Sequence, residues 1–268
     1  MVREFAGRVV VVTGAAGGLG RALVLAFAAA GARVAALDRD PALLAQAAFP
    51  DEAQVLRLAC DVTDESDCLR ALAEVRRAWG GVDVLVNNAG ITHRSAFAAT
   101  RPEVIRRVMA VNFFGALHCT HAALADLIAR RGLVVAVSSV AGFAPLVART
   151  GYAASKHALH GFFDSLRSEV EPLGVQVLLV CPSFIRTGIE GNALASDGTP
   201  VRHPQAIVGR RSTPEAVAAR IVRAAARGER LLLPDRVSRL AWWASRLAPR
   251  FYARQMARRL GAEMRAGG

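Results

Sequence analysis

The run Val9-Val10-Val11-Val12-Thr13-Gly14-Ala15-Ala16-Gly17-Gly18-Leu19-Gly20 decides the fold. Its first five residues form a short β-branched strand, and the Ala/Leu-rich stretch Arg21–Ala30, closed by Gly31, reads as a helix. A glycine-rich turn between the two has no Cβ atoms to keep the backbone away from a pyrophosphate. The helix that follows offers free N–H groups and the positive end of its dipole to the same phosphates. A glycine loop can be a plain tight connection. Its strand–turn–helix setting is what makes it a phosphate-binding candidate.

Outward from this unit the rhythm repeats. Arg33–Asp38, Val55–Cys60, Val82–Asn87, Val134–Ser138, Val175–Cys181 and Arg230–Leu233 carry the strand signal, with helices near 64–79, 101–111, 115–130, 152–171 and 213–227. Thr213-Pro214-Glu215 gives the last helix an N-cap and a proline at its first position. Strands that are apolar throughout and alternate with helices imply a parallel sheet covered on both faces. The expected fold is therefore α/β, a doubly wound, seven-stranded, Rossmann-like parallel sheet. Residues 1–235 read as one catalytic and cofactor-binding domain, and 236–268 as a basic amphipathic helical extension of it.

Composition excludes several classes. With 53% hydrophobic residues the chain can fill a core without staples. Cys60, Cys68, Cys119 and Cys181 show no C-x-x-C spacing, so reduced thiols in a cytoplasmic protein are expected. No signal-peptide layout fits the first residues. The uncharged run between Arg107 and Asp126 contains Asn112, His118 and His121, which suits a membrane span poorly. The net charge of +12 is lopsided: residues 201–268 hold 15 arginines and four acids, leaving 19 basic and 18 acidic residues in 1–200. A nucleic-acid binder would carry its excess around a recognition element, so no nucleic-acid partner is expected.

Two further constellations carry chemistry. Asp38 ends the second strand, where a carboxylate can accept both adenosine ribose hydroxyls and repel a 2′-phosphate. It favours NAD over NADP, although the neighbouring Arg39 offers a phosphate a partner. Tyr152-Ala153-Ala154-Ser155-Lys156 places a phenol and an ammonium four residues apart on one helix face. A free tyrosine titrates near about 10, and a neighbouring cation that stabilises the phenolate fits it for acid–base work. An ordinary amphipathic helix would show the same spacing. Lys156, however, is the single lysine among 33 arginines, which points to a site needing a compact ammonium and not a planar fork.

Together the glycine loop, Asp61-Val62, Asn87-Asn88-Ala89-Gly90, Asn112, Ser138-Ser139 and Tyr152…Lys156 resemble the short-chain dehydrogenase/reductase family, over residues 8 to about 234. The resemblance implies that Gly14, Gly18, Leu19 and Gly20 line the pyrophosphate site. It implies that Asp61 bonds the adenine amine with Val62 against the ring, and that Asn88, Ala89 and Gly90 stabilise the sheet and border the cofactor. Ser139 would hold the substrate oxygen and Tyr152 would move the hydroxyl proton. Lys156 would bind the nicotinamide ribose and depress the tyrosine pKa, while Asn112 would complete a proton relay through water. Pro182, Ile185 and Thr187 match the segment at the nicotinamide carboxamide. Ser183 stands where the family has glycine, and the Asp-Gly-Gly ending common in tetrameric members is missing, so a tetramer is not assumed; a homodimer or a homotetramer is expected.

The resulting expectation is an NAD-dependent oxidoreductase acting on a lipophilic secondary alcohol or ketone. An NADPH-dependent ketone reductase and a non-catalytic nucleotide-binding scaffold are the alternatives. Val140, Phe143, Val147, Phe184 and Ile189 are expected near the substrate, and Gly188–Arg211 as a lid. His93 suits either a substrate contact or a solvated loop. His118 and His121, one turn apart, find no third ligand, so no metal is expected. In the tail, Val237, Leu240, Ala241, Ala244 and Leu247 recur at helical spacing, and Phe251, Tyr252, Met256 and Leu260 resume the pattern after Pro249. Two short amphipathic helices are expected, packed on the pocket or a partner, with peripheral membrane contact through 236–260.

Overall fold

In a computed structural model, residues 3–51, 53–186, 193–201 and 211–266 are described. Seven parallel strands form one sheet in the order β3-β2-β1-β4-β5-β6-β7, where β1 is Val9–Thr13, β2 Arg33–Asp38, β3 Val55–Ala59, β4 Val84–Asn87, β5 Leu133–Val137, β6 Gln176–Val180 and β7 Leu231–Leu232. The chain reverses direction across the sheet between β1 and β4, and a crevice opens at the carboxyl ends of strands there.

The period of two along each strand divides the core. Val10 and Val12 face α1 (Gly18–Ala29) and α7 (Pro214–Ala226), while Val9 and Val11 face α3 (Glu65–Trp79), α5 (Gly115–Ala129) and α6 (Thr150–Val170). Local chemistry sets the helix ends. Asp64 caps α3 and Gly80 closes it in the left-handed region. Thr213 caps α7 by accepting from Ala216 N, as its sequence implies. The strand expected at 82–87 starts two residues later and that at 175–181 loses one residue at each end, because pairing ceases where the chain turns toward the helices.

Two elements depart from expectation. A six-residue α2 (Pro41–Gln46) follows β2, started by the Asp40 carboxylate accepting from Ala42 and Leu43 N–H. The helices expected at 101–111 and 115–130 are continuous. α4 (Pro102–Met109) runs through a π turn at Ala110–Phe114 into α5. By length and composition this 28-residue run could cross a membrane. Here Cys119, Ala123 and Leu127 are fully buried in the second core, against the sheet.

The tail forms the two expected helices, α8 (Arg236–Leu247) and α9 (Pro249–Ala266). Its expected apolar stripe splits. Ala241, Tyr252, Met256 and Leu260 turn inward with Ala144, whereas Leu240 and Leu247 face out. α8 lies against α9 and the short turn Val140–Gly142, and the small Ala241 faces inward there beside Ala144.

Candidate active site

A continuous cleft of about 1160 Å³ runs along the carboxyl ends of the strands, from Asp38 past Tyr152 to the tail. At its first end α1 begins at Gly17, which supplies no side-chain cap, and its first turn holds no acid. Those N–H groups are left for an anion. Close approach explains two glycines. A Cβ on Gly20 would lie 2.0 Å from the Gly14 carbonyl oxygen, and one on Gly14, whose φ is +64°, would lie 2.9 Å from Ala89 Cα. Gly18 and Leu19 line the cleft beside them.

Asn88 fastens this loop to β4. Its Nδ2 donates to the carbonyls of Thr13 (2.9 Å) and Gly14 (3.2 Å), while Thr13 Oγ1 accepts from the N–H groups of Asn88 and Ala89. Asp38 braces the loop from β2, accepting from Ala16 N at 3.0 Å and Asp40 N at 3.2 Å. Its remaining lone pairs, and the exposed Arg39, face the cleft. Asp61 accepts from Thr63 N and Oγ1, and Val62 packs so closely on Gly115 that a Cβ there would clash. These groups fit a dinucleotide: a bare helix terminus, a cradle any Cβ would fill, and carboxylates at the ribose and base positions.

Further along, α6 carries Tyr152 and Lys156. Lys156 is 4% exposed, its Nζ 5.8 Å from the Tyr152 ring centroid and donating to the Val137 carbonyl at 2.8 Å. A Cβ on Gly90 would meet Asn112 Oδ1 at 3.3 Å and that Nζ at an ordinary 3.6 Å, so Gly90 borders both groups. Ser139, after β5, accepts from Ala141 N at 3.2 Å and shares a hydrogen bond with Tyr152. Burial raises the Tyr152 pKa, with the Ser139 bond and the Arg149 charge working against it. The Lys156 ammonium is turned to the Val137 carbonyl. Burial lowers its pKa to about 8.

The π turn aims Asn112 inward. Its Oδ1 accepts from Ile91 N at 2.8 Å, and its Nδ2 donates to Ile91 O and to Ser155 Oγ, which donates to Tyr152 O. The amide thus donates to the Ile91 carbonyl and to the Ser155 hydroxyl. Any relay role falls to its remaining acceptors and not to these donors.

Pro182 and Ile185 line the cleft; Thr187 and Ile189 lie outside the described residues. Ser183 accounts for its departure from glycine. Its φ is not positive, and its N–H and hydroxyl both donate to the Asp235 carboxylate, at 3.1 and 2.8 Å. That carboxylate also caps α8. Val140 and Phe184 line the cleft as expected, but Phe143 and Val147 pack toward the tail, Phe143 edge-on to Trp242 at 4.8 Å. The supposed lid is described only at 193–201 and 211, where Leu194 and Gly198 line the cleft.

The histidines resolve differently. His118 Nδ1 donates to the Val62 carbonyl, and His121 faces Glu65 at 3.8 Å. Among the described residues no group of three metal-ligating side chains forms. His93 is fully buried and lines neither solvent nor cleft. Its Nε2 accepts from Gly151 N at 2.9 Å, just before Tyr152, so Nδ1 carries the proton toward Ser95 Oγ (3.3 Å). Burial and the Arg149 charge lower its pKa to about 4 and keep it neutral. As a positioning residue it predicts that His93→Ala lowers kcat by roughly tenfold with cofactor affinity unchanged, and that His93→Gln recovers part of the loss. Steady-state kinetics beside cofactor titration measure both.

A model described as short chain dehydrogenase matches residues 8–197. The chain belongs to the short-chain dehydrogenase family. Dehydrogenase/reductase SDR family member 7B of Bos taurus is 38% identical over 269 residues, 96% of this chain and 83% of its own. A family member 7-like protein of Anopheles gambiae is 36% identical, over 93% of this chain and 82% of its own. The crystal structure of a short-chain dehydrogenase from Streptomyces avermitilis superposes with a TM-score of 0.81 at 30% identity, covering 94% of this chain and 97% of that one. One from Burkholderia phymatum, solved in complex with NAD, gives 0.83 at 24% identity over 93% and 96%, a likeness of fold. The protein is thus an oxidoreductase of this family. Arg149, which caps the cleft beside Tyr152, escaped the sequence reading: where nearly every cation is arginine, one more arginine carries no signal.

Proposed function

We propose that this short-chain dehydrogenase is an NAD-dependent enzyme interconverting a lipophilic secondary alcohol and its ketone. The observation that carries the reading is the meeting of Ser139, Tyr152 and Lys156 between the phosphate-binding loop and an apolar tail-built wall. A bound nicotinamide dinucleotide supplies or accepts the hydride. Tyr152 holds the transferable proton at its Oη, and Ser139 Oγ steadies the substrate oxygen as charge develops on it. Lys156 would hold the nicotinamide ribose by offering its ammonium to the hydroxyls. Val140, Ala144 and Met256 give the far end of the cleft an apolar lining. The four cysteines are free and buried, which supports a reducing, cytoplasmic setting. Screening NAD reduction against steroid, long-chain and aryl secondary alcohols tests the substrate class. Turnover restricted to small polar alcohols would overturn it.

The NADP-dependent alternative draws on Arg39, which also lines the cleft. Wild type is expected to prefer NAD, and Asp38→Ala to narrow the preference by roughly tenfold, about 1.4 kcal/mol. Because Asp38 also holds Ala16 N, the variant should lose efficiency with NAD as it gains tolerance of NADP. Comparing kcat/KM for both cofactors in both proteins decides the matter; a wild type preferring NADP would assign the choice to Arg39.

A further inference from the structure

The tail carries large apolar side chains on its outside: Leu240 is 70% exposed, Trp243 61%, Leu247 77% and Phe251 61%. Spacings of three and four place Leu240, Trp243 and Leu247 on one face of α8. Scattered exposed apolar residues are ordinary, whereas such a group on one element marks an interaction surface. Among the described residues the packing of the tail uses its other face, filled by Ala241, Tyr252, Met256 and Leu260 and by Trp242 on Phe143. Charge adds a second observation. From Arg236 to Arg259 there are seven arginines and no acid, and Arg236, Arg239, Arg250, Arg254 and Arg258 are exposed. The third is position: Leu240 and Arg259 are exposed and also line the cleft, so the cleft mouth borders this surface.

We propose that the outer face of α8 and α9 docks on an anionic lipid surface with the cleft mouth turned toward it. Apolar side chains flanked by arginine are what a helix lying in a headgroup layer presents. Each basic residue near an anionic surface favours partitioning roughly fivefold. A second copy of the chain is the rival occupant. A two-fold pairing of this face would set arginine against arginine, with no acid between residues 236 and 259 to relieve it. Only one consequence rests on the function proposed above: a lipophilic alcohol in the bilayer would enter the cleft without crossing water. Docking itself is read as binding, independent of turnover.

The test sediments the full chain with vesicles of phosphatidylcholine, with or without phosphatidylglycerol. Low salt is compared with about 1 M, where the screening length falls from about 10 Å to about 3 Å. Roughly tenfold greater binding to the phosphatidylglycerol vesicles is expected, largely lost at high salt. Trp243→Ser/Leu247→Ser/Phe251→Ser should keep the wild-type Tm and solution mass yet fail to bind. Arg250→Gln/Arg254→Gln/Arg258→Gln should bind both vesicles alike. Absence of binding to phosphatidylglycerol vesicles at low salt overturns the proposal, as does equal wild-type binding to both. A serine variant of smaller mass by light scattering gives the face to a second copy and also overturns it.

Discussion

Replacing Tyr152 with phenylalanine is expected to lower turnover by about a thousandfold, within the range a positioned acid–base group supplies, while cofactor affinity stays within about twofold. The substitution removes one oxygen. The ring keeps its contacts with Val104, Val108 and Leu194, and the Asn112–Ser155 clamp holds the main chain of residue 152 and not its hydroxyl. Structure and cofactor site should therefore survive. pH dependence separates this from a packing defect. Burial raises the phenol's pKa, so at neutral pH the proton is present for ketone reduction. Alcohol oxidation needs the phenolate and should speed up as pH climbs toward that raised value. In Tyr152→Phe the rise should vanish. A variant turning over within tenfold of wild type, with the alkaline rise intact, would remove Tyr152 from the chemistry.

Lys156→Met is expected to cost at least about a hundredfold in activity and yet to make the protein more stable. The fall of the Lys156 pKa from 10.5 to about 8 amounts to roughly 3 kcal/mol of unfavourable burial. Methionine fills similar space without a charge, at the expense of one hydrogen bond to the Val137 carbonyl, about 1 kcal/mol. A net gain near 2 kcal/mol corresponds to a Tm rise of about 4–8 °C for a chain of this size. The penalty is full below about pH 8, where folded and unfolded chains both carry the proton. It fades between about pH 8 and 10.5, where only the unfolded chain still binds it. The Tm advantage of the variant should therefore be largest at neutral pH and shrink as pH rises. A destabilised Lys156→Met would mean that the ammonium holds the site together, and not that the site tolerates it for the sake of function.

The two variants also mark what can be read from sequence. The sheet was legible because its strands are apolar on both faces and its helices carry caps, as at Thr213. Tyr152 and Lys156 were legible because one helix carries both. The short α2 was missed because Asp40-Pro41 starts a turn and a helix with the same residues. The π turn at Ala110–Phe114 leaves no mark in a pattern that tolerates one extra residue. The clamping work of His93 was hidden because its partner is a backbone N–H, that of Gly151, far along the chain and invisible to any side-chain motif. The tail's inner and outer faces share one apolar pattern, and only the narrow turn it packs on decides which residues stay outside.

The Asp235 carboxylate starts α8 and at the same time receives both donors of Ser183 in the cleft wall. One side chain thus joins a terminal segment to the working part of the molecule, and everything that touches hydride or proton lies on the near side of that joint. A change at either Ser183 or Asp235 is therefore felt at both ends of the joint, in the cleft wall and at the start of α8.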